Sequence, residues 1–332
     1  LAIMNICALL PIGLLSPFGG LVADRHNRKR IMIAADGAVG LVSLAAALLI
    51  LAGDVSIPLL LAICLARAVG QAFHSPAMMA AMPMLVPDKH LLRINTLDQL
   101  LASVASIGAP AFGIFLYTTL GFSSVMFLDF AGACVAIVGL LLAKIPTVVD
   151  ATAEHRSVLA NLRDGWRAVA KTRGLVLVIV TVTIGMTIFS PLSAVFPLMT
   201  FDHFGGDGYM ASLTEAAFGV GMLVGSGILM AWGGGRRLAG LIAVACVVVG
   251  ATTAACGLLP SDGFAGFVAL VAIMAMACAW FNGPTMTLVQ RHVPDEKMGR
   301  AMGLLTAAMG LATPVGVAVG GVLAEAVGVA PF

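Results

Sequence analysis

The sequence predicts an all-α membrane protein, and the prediction rests on composition, on the length of the apolar runs and on the placement of the basic residues. Hydrophobic residues make up 60% of the 332-residue chain and charged residues only 10%, too few to cover a water-exposed surface. The apolar runs are about 20 residues long, roughly what a helix needs to cross a ~30 Å hydrocarbon core. Ten spans are predicted, at 1–22, 31–52, 57–85, 94–119, 122–144, 174–200, 209–232, 237–259, 263–290 and 298–327.

The basic residues predict how these spans are oriented. All 18 Lys and Arg residues except Arg67 lie in five loops, which alternate with loops that contain none. The basic loops are 24–30, 87–93, 144–173, 233–237 and 291–300. Because basic residues are retained in the cytoplasm when membrane helices insert, we expect these loops to face the cytoplasm and the spans to cross the inner (plasma) membrane. The net charge of +2 therefore reflects loop anchors, and no nucleic-acid partner is expected.

The long central loop divides the spans into two groups of five. We predict an N-terminal bundle at 1–146, a cytoplasmic linker at 147–173 and a C-terminal bundle at 174–332. Both ends of the chain are predicted to lie outside. One more span at each end would give two pseudo-symmetric six-helix bundles with both termini inside, so we expect the chain to be a fragment with ten of twelve helices.

The linker has a helical pattern of its own. Apolar residues recur at helical spacing, and basic residues recur at intervals of four on another face. They are Leu159, Leu162, Trp166 and Val169, and Arg163, Arg167 and Lys171. The pattern predicts an amphipathic helix on the bilayer surface, with an ordinary solvated linker helix as the alternative.

A short internal repeat relates the two halves. The run at 73–76 (Phe-His-Ser-Pro) and the Val-Pro-Asp at 86–88 are echoed at 281–284 and 293–295, an offset of about 207 residues. A duplicated half in the same orientation is typical of a parallel repeat about an axis along the membrane normal.

The loop after the first span has a recognisable pattern, Gly20-Leu-Val-Ala-Asp24-Arg25-His-Asn-Arg28-Lys-Arg. It resembles the signature loop of the major facilitator superfamily, G-x-L-A-D-R-x-G-R-R/K, and Asn27 replaces its second Gly. Because Asn tolerates a left-handed backbone, we expect the tight turn to survive. Val22 replaces the Leu, and the equivalent loop at 233–237 has lost the Asp.

A carboxylate at a helix end can accept hydrogen bonds from an Arg or from the start of another helix. The resemblance implies that Asp24 meets the start of the tenth span and locks an outward-open state. We assign gating to Gly20, Asp24, Arg25 and Arg28, and take Lys29 and Arg30 as topology anchors.

Arg67 lies about ten residues into the third span, ~15 Å along a helix and therefore near mid-bilayer. A cation there is costly and is expected to face a cavity or a counter-charge. Arg67, Gln71 and His74 form one polar stripe, and the Arg67-Ala-Val-Gly70 run resembles a family motif, R-x-x-x-G or close variants, associated with proton coupling. A purely structural buried ion pair is the alternative.

Acidic residues within the spans are candidate proton carriers. Asp129 and Glu215 are predicted to join Arg67, Gln71 and His74 at a proton-coupling cavity, since a carboxyl group in the membrane interior marks a functional site by default. Asp36 lies nearer the cytoplasmic face and could cap a helix end, and Glu325 is expected near the outer surface.

Glycine and proline predict helix bends and close packing. The run Gly108-Ala-Pro110-Ala-Phe-Gly113 resembles, in degenerate form, the G-P-x-x-G element of the drug antiporters of this superfamily and predicts a bent helix. The pairs Gly221/Gly225 and Gly316/Gly320 have the GxxxG spacing of close helix packing.

Over nearly its whole length the chain resembles the macrolide-efflux and enterobactin-exporter branch, with the clearest matches at 23–36, 73–77 and 164–169. The resemblance implies proton-coupled efflux of amphipathic small molecules, such as drugs, macrolides or siderophores, by alternating access. The expected partners are the substrate, protons and lipid, with the chain as a monomer.

Two other functions remain open: a symporter that imports a nutrient or metabolite, and a non-transporting sensor on the same fold. We do not expect an enzyme or an ATP-driven pump, because the chain has no G-x-x-x-x-G-K-[ST] loop and no H-E-x-x-H zinc motif. The energy source would be the proton gradient, with no cofactor or metal.

Overall fold

A computed structural model of the chain describes residues 2–53, 56–146, 166–167, 170, 175–235 and 237–327. Within these ranges the backbone forms helices joined by short turns, and no strand occurs there. The helices are α1 Ala2–Arg25, α2 Arg28–Leu51, α3 Ile57–Leu85, α4 Asp88–Leu142, α5 Leu175–Phe189, α6 Leu192–Leu198, α7 Gly208–Trp232, α8 Leu238–Gly257, α9 Phe264–His292 and α10 Met298–Val327. A π turn, Met199–His203, follows α6, and a 3-10 turn, Asp295–Lys297, precedes α10. The all-α prediction is confirmed.

Two predicted spans are joined and one is divided. Spans 94–119 and 122–144 both lie in α4, where Gly121 breaks the regular helix with φ 79° and ψ 166°. Such a backbone costs Gly little because it has no Cβ. Span 174–200 is divided between α5 and α6 at Pro191, which has no N–H to continue the helical ladder.

In the described part of the chain, seven helices are long and apolar enough to cross a membrane. Some side chains of the predicted spans 94–119, 174–200 and 298–327 lie outside the described set, so the count of ten stays a prediction. Large apolar side chains such as Leu41, Val135 and Val247 are exposed, as expected of helices that face lipid rather than water. The chain is a multi-pass membrane protein.

The described helices form two compact units. The first unit is Leu1–Pro87, Ala111–Ile179 and His292–Leu311, and the second is Asp88–Pro110, Val180–Arg291 and Ala312–Phe332. These units group neighbours in space and differ from the predicted bundles at 1–146 and 174–332, which stay a prediction. The linker helix lies almost wholly outside the described residues.

Glycines bring helices into close contact within the first unit. A Cβ on Gly20 of α1 would overlap the carbonyl oxygen of Gly299 in α10, and a Cβ on Gly303 would overlap that of Ser16. On another face of α1, Gly19 lies equally close to the backbone of Ala72 in α3. The backbones approach this closely because no side chain intervenes.

Glycines also bring helices into close contact within the second unit. A Cβ on Gly221 would overlap the carbonyl oxygen of Ala272, and one on Gly225 would lie 2.6 Å from that of Met276. The predicted close packing at this GxxxG pair is confirmed, with α9 as the partner of α7. Gly316 lies against Thr187 of α5, whereas the surroundings of Gly320 lie outside the described residues.

Candidate functional site

The carboxylate of Asp24 joins the end of α1 to the start of α10. Asp24 is fully buried; its Oδ1 accepts from the backbone N–H of Gly299 at 2.7 Å and its Oδ2 from that of Arg300 at 3.0 Å. The first amides of a helix have no acceptor within the helix and carry a positive partial charge. Asp24 therefore caps α10 across a sequence separation of 275 residues.

Two buried guanidinium groups face the same carboxylate. Arg300 donates from Nε to Asp24 Oδ2 at 2.9 Å, and Nη2 of Arg28 lies 3.5 Å from Oδ1. Arg28 also donates to the carbonyl oxygens of Ala80 in α3, at 2.8 Å, and of Asp295 in the turn before α10, at 2.5 Å. One buried anion and two buried cations thus tie α1, α2, α3 and α10 together.

The turn between α1 and α2 forms, but not in the expected way. Asn27 has φ −62° and ψ 113°, an extended backbone, and its side chain accepts from the N–H groups of Lys29 and Arg30. The expected left-handed backbone was wrong: Asn27 is the N-cap of α2, a position that favours Asn for its side-chain acceptor. Arg25 is the last residue of α1, and its part in gating stays a prediction.

Lys29 has a structural contact that the sequence did not indicate. Its Nζ donates to the carbonyl oxygens of Leu141 and Ala143 at 2.8 and 2.9 Å. These carbonyl groups lie at the end of α4, where Lys commonly satisfies acceptors left open by the helix. Lys29 therefore caps α4 in addition to the topology role expected of it.

A second polar cluster in the first unit is formed by Arg67, Asp129 and Ser43, from α3, α4 and α2. Arg67 Nη1 donates to Asp129 Oδ2, and Ser43 Oγ donates to the same oxygen at 2.5 Å. The side chain of Arg67 is 47% exposed and that of Asp129 31%. The predicted cation thus has the predicted acid as its counter-charge. Ser43 was missed because one Ser in an apolar helix produces no distinctive pattern.

The rest of the predicted stripe has different surroundings. His74 Nε2 lies 3.5 Å from Asp36 Oδ1, so Asp36, which lies inside α2, pairs across to α3. The interpretation of Asp36 as a helix cap was wrong. Gln71 is exposed on α3, and Glu215 is exposed on α7, which belongs to the second unit. The first unit therefore brings Arg67 and Asp129 together, and the place of Glu215 at a proton-coupling cavity stays a prediction.

The predicted bend motif lies inside a continuous part of α4. A Cβ on Gly108 or on Gly113 would meet no atom within 4 Å, whereas the neighbouring Ile107 side chain lies against Gly219 of α7. The side chain of Pro110 lies outside the described residues, and the bend stays a prediction. The division between the two units passes through this motif, between Pro110 and Ala111.

An uncharged cluster in the second unit escaped the sequence analysis. Asn95 of α4 donates from Nδ2 to Gln290 Oε1 at 2.6 Å and to Thr287 Oγ1 at 3.0 Å. Thr287 and Gln290 of α9 are both buried. These residues carry no charge and no motif spacing, so only the packing of the two helices shows that they meet.

Comparisons with known proteins agree with this architecture. A family model described as transmembrane secretion effector matches residues 1–331. Macrolide efflux protein A of Streptococcus pyogenes is 29% identical over 330 residues, covering 99% of this chain and 82% of that protein. Macrolide efflux protein A of Enterococcus faecalis is 30% identical over 314 residues, covering 94% and 97% respectively.

Solved structures show the same fold at low identity. The human organic anion transporter MFSD10 (TETRAN) superposes with a TM-score of 0.77 at 19% identity, covering 99% of this chain and 78% of that one. The E. coli fucose:proton symporter FucP superposes with the same TM-score of 0.77 at 14% identity, covering 98% of this chain and 84% of that one. The chain therefore belongs to the transmembrane secretion effector family and has the major facilitator fold, as its loop motif and its pattern of spans predicted.

Proposed function

We propose that this transporter exports amphipathic small molecules, with macrolides as the first class to test, in exchange for protons and by alternating access. Two relatives at 29% and 30% identity are named macrolide efflux proteins. The proposal further places the chain in the plasma membrane as a monomer, with its basic loops in the cytoplasm.

The observation that carries the alternating-access part is the Asp24 contact. Both carboxylate oxygens are engaged by the first amides and the side chain of α10, with every partner buried. A helix from the first half of the sequence is thereby held to the last helix at the predicted cytoplasmic end. This contact would close that end in one conformation and break in the other, because a buried charge network favours two discrete arrangements over a continuous range.

The proton-coupling part rests on the Arg67, Asp129 and Ser43 cluster. In the proposed cycle, Asp129 takes up one proton from the outside and releases it to the cytoplasm. Protonation neutralises the carboxylate, which weakens its attraction to the Arg67 guanidinium and makes Ser43 free to donate to the carbonyl oxygen of Val39, 3.1 Å away. Protonation would therefore change the net charge of the cluster from zero to +1, carried by the half-exposed Arg67 guanidinium, and this change in charge would bias the two conformations differently.

Transport in inside-out vesicles tests the function. With an acidic lumen, we expect the full chain to accumulate a fluorescent macrolide, a protonophore to abolish that accumulation, and Asp129→Asn to abolish it while substrate exchange without a gradient continues. Asp262→Asn, on an exposed loop residue, is the matched control. Accumulation that persists both in the presence of the protonophore and in the Asp129→Asn variant would refute proton coupling. Gradient-driven movement in the opposite direction would favour the symporter.

A further inference from the structure

We propose that a basic cavity in the second unit binds the phosphate group of an anionic phospholipid at the predicted cytoplasmic surface. The cavity has a volume of about 250 Å³ and lies between the start of α4, the loop after α7 and the end of α9. Its polar lining comes from Lys89, His90, Arg93 and Arg291, and its backbone lining from Gly233 and Gly235.

The charge of the lining points to an anion. Three permanent cations, whose side chains are exposed, and a partly buried histidine line this cavity, and none of the described lining residues is acidic. Like charges gathered in one cavity repel each other unless a counter-charge lies among them. The nearby acid, Asp88, is exposed and contributes its carbonyl oxygen, which accepts from Nη2 of Arg291 at 2.8 Å. That bond ties the end of α9 to the start of α4 and holds the cationic side chains together.

The backbone adds donors and keeps the space open. Pro87 precedes α4 and provides no side-chain cap, so the first N–H groups of the helix, at Lys89 and His90, are left without a side-chain acceptor. Phosphate commonly binds such amides. Gly234, at φ 70°, lies so near α4 that a Cβ would sit 2.6 Å from Leu92 Cδ2. Glycine therefore allows the loop to lie against the basic helix end.

The position of the cavity favours a lipid over a soluble anion. Trp232, which immediately precedes the cavity loop, ends α7 and is 61% exposed. Trp is enriched at the level of the lipid headgroups, and basic pockets at this depth on the cytoplasmic side bind anionic headgroups. The inference does not depend on the substrate or on the direction of transport, because binding is measured without transport.

Native mass spectrometry of the purified, delipidated full chain tests the proposal by titration with phosphatidylglycerol, phosphatidylcholine or inorganic phosphate. We expect one tightly held phosphatidylglycerol per chain. The Lys89→Gln/Arg93→Gln variant should bind it on the order of thirtyfold more weakly, since each basic residue near an anionic surface contributes about a factor of five. Arg93→Lys keeps the positive charge and should retain most of the affinity, which would assign the loss in the Gln variant to charge.

The control variant is Arg30→Gln/Lys144→Gln, which removes two exposed basic residues that do not line the cavity. It should bind phosphatidylglycerol as the parent chain does. Equal affinity for phosphatidylglycerol and phosphatidylcholine, or equal losses in the cavity variant and the control, would overturn the site. Inorganic phosphate that displaces the lipid at matched concentration would overturn the assignment to lipid.

Discussion

At the scale of single residues, Asp24 shows why a carboxylate is required at the end of α1. Its two oxygens accept hydrogen bonds from two backbone amides and contact two guanidinium groups, all of them buried. An uncharged side chain of the same shape has only one acceptor oxygen and removes the carboxylate that Arg28 and Arg300 both contact. Buried cations without a partner are strongly unfavourable.

We therefore expect Asp24→Asn to destabilise the α1–α10 contact by about 3–5 kcal/mol, the usual effect of breaking a buried pair by removing one partner. The thermal unfolding midpoint of the purified chain should fall, and export should fall with it while membrane insertion persists. Asp262→Asn removes a carboxylate from an exposed loop and should change neither measurement. An unchanged midpoint in Asp24→Asn would show that the network is energetically neutral.

The Arg67 and Asp129 pair is a second prediction at the residue scale. The two side chains contact each other, so the effects of Arg67→Gln and Asp129→Asn should be non-additive. We expect a coupling energy of about 0.5–3 kcal/mol in a double-mutant cycle on the rate of substrate exchange without a gradient, which Asp129→Asn retains. Arg67→Gln combined with Asp262→Asn should instead be additive. Additive effects in the first cycle would mean that the pair does not act as a unit.

At the scale of elements, glycine decides which helices can touch. Gly20, Gly299 and Gly303 allow the backbones of α1 and α10 to meet, and the same contact places the amides of Gly299 and Arg300 against Asp24. The packing of the two helices and the capping of α10 are therefore one arrangement, in which neither part forms without the other.

Gly20→Ala should separate these helices, since its Cβ would overlap the carbonyl oxygen of Gly299. We expect a loss of stability of about 1–3 kcal/mol, typical of overpacking, measured as a lower unfolding midpoint. Gly227→Ala is the matched control, because a Cβ there meets nothing within 4 Å and alanine favours a helix by up to about 1 kcal/mol. Equal effects of the two substitutions would contradict the close-packing account.

At the scale of the whole molecule, the basic loops determine a testable topology. Single cysteines at Lys89, Arg30 and Asp262, in a chain whose six native cysteines are replaced by serine, can be labelled with a membrane-impermeant maleimide. We expect labelling at Asp262 in intact cells, and at Lys89 and Arg30 only after permeabilisation, because basic loops are retained in the cytoplasm. Labelling of Lys89 and Arg30 from opposite sides would refute the predicted threading.

The sequence by itself determined the class of the protein, the positions of most helices and the residue at the centre of the α1–α10 contact. Whether a segment crosses a membrane depends mainly on its own length and composition, so α2, α3 and α7 were predicted to within a few residues. The loop around Asp24 was found because its resemblance to a family motif extends over ten successive residues, 20–29, with departures only at Val22 and Asn27.

The tertiary structure alone decided which side chains meet. Ser43 with Asp129, His74 with Asp36, Lys29 with the end of α4, and Asn95 with Gln290 all depend on how each helix is rotated and which neighbour it contacts. Hydropathy does not specify these properties, because lipid is as apolar as the helix surfaces it covers. Close backbone contacts and a few buried polar groups select the pairing instead.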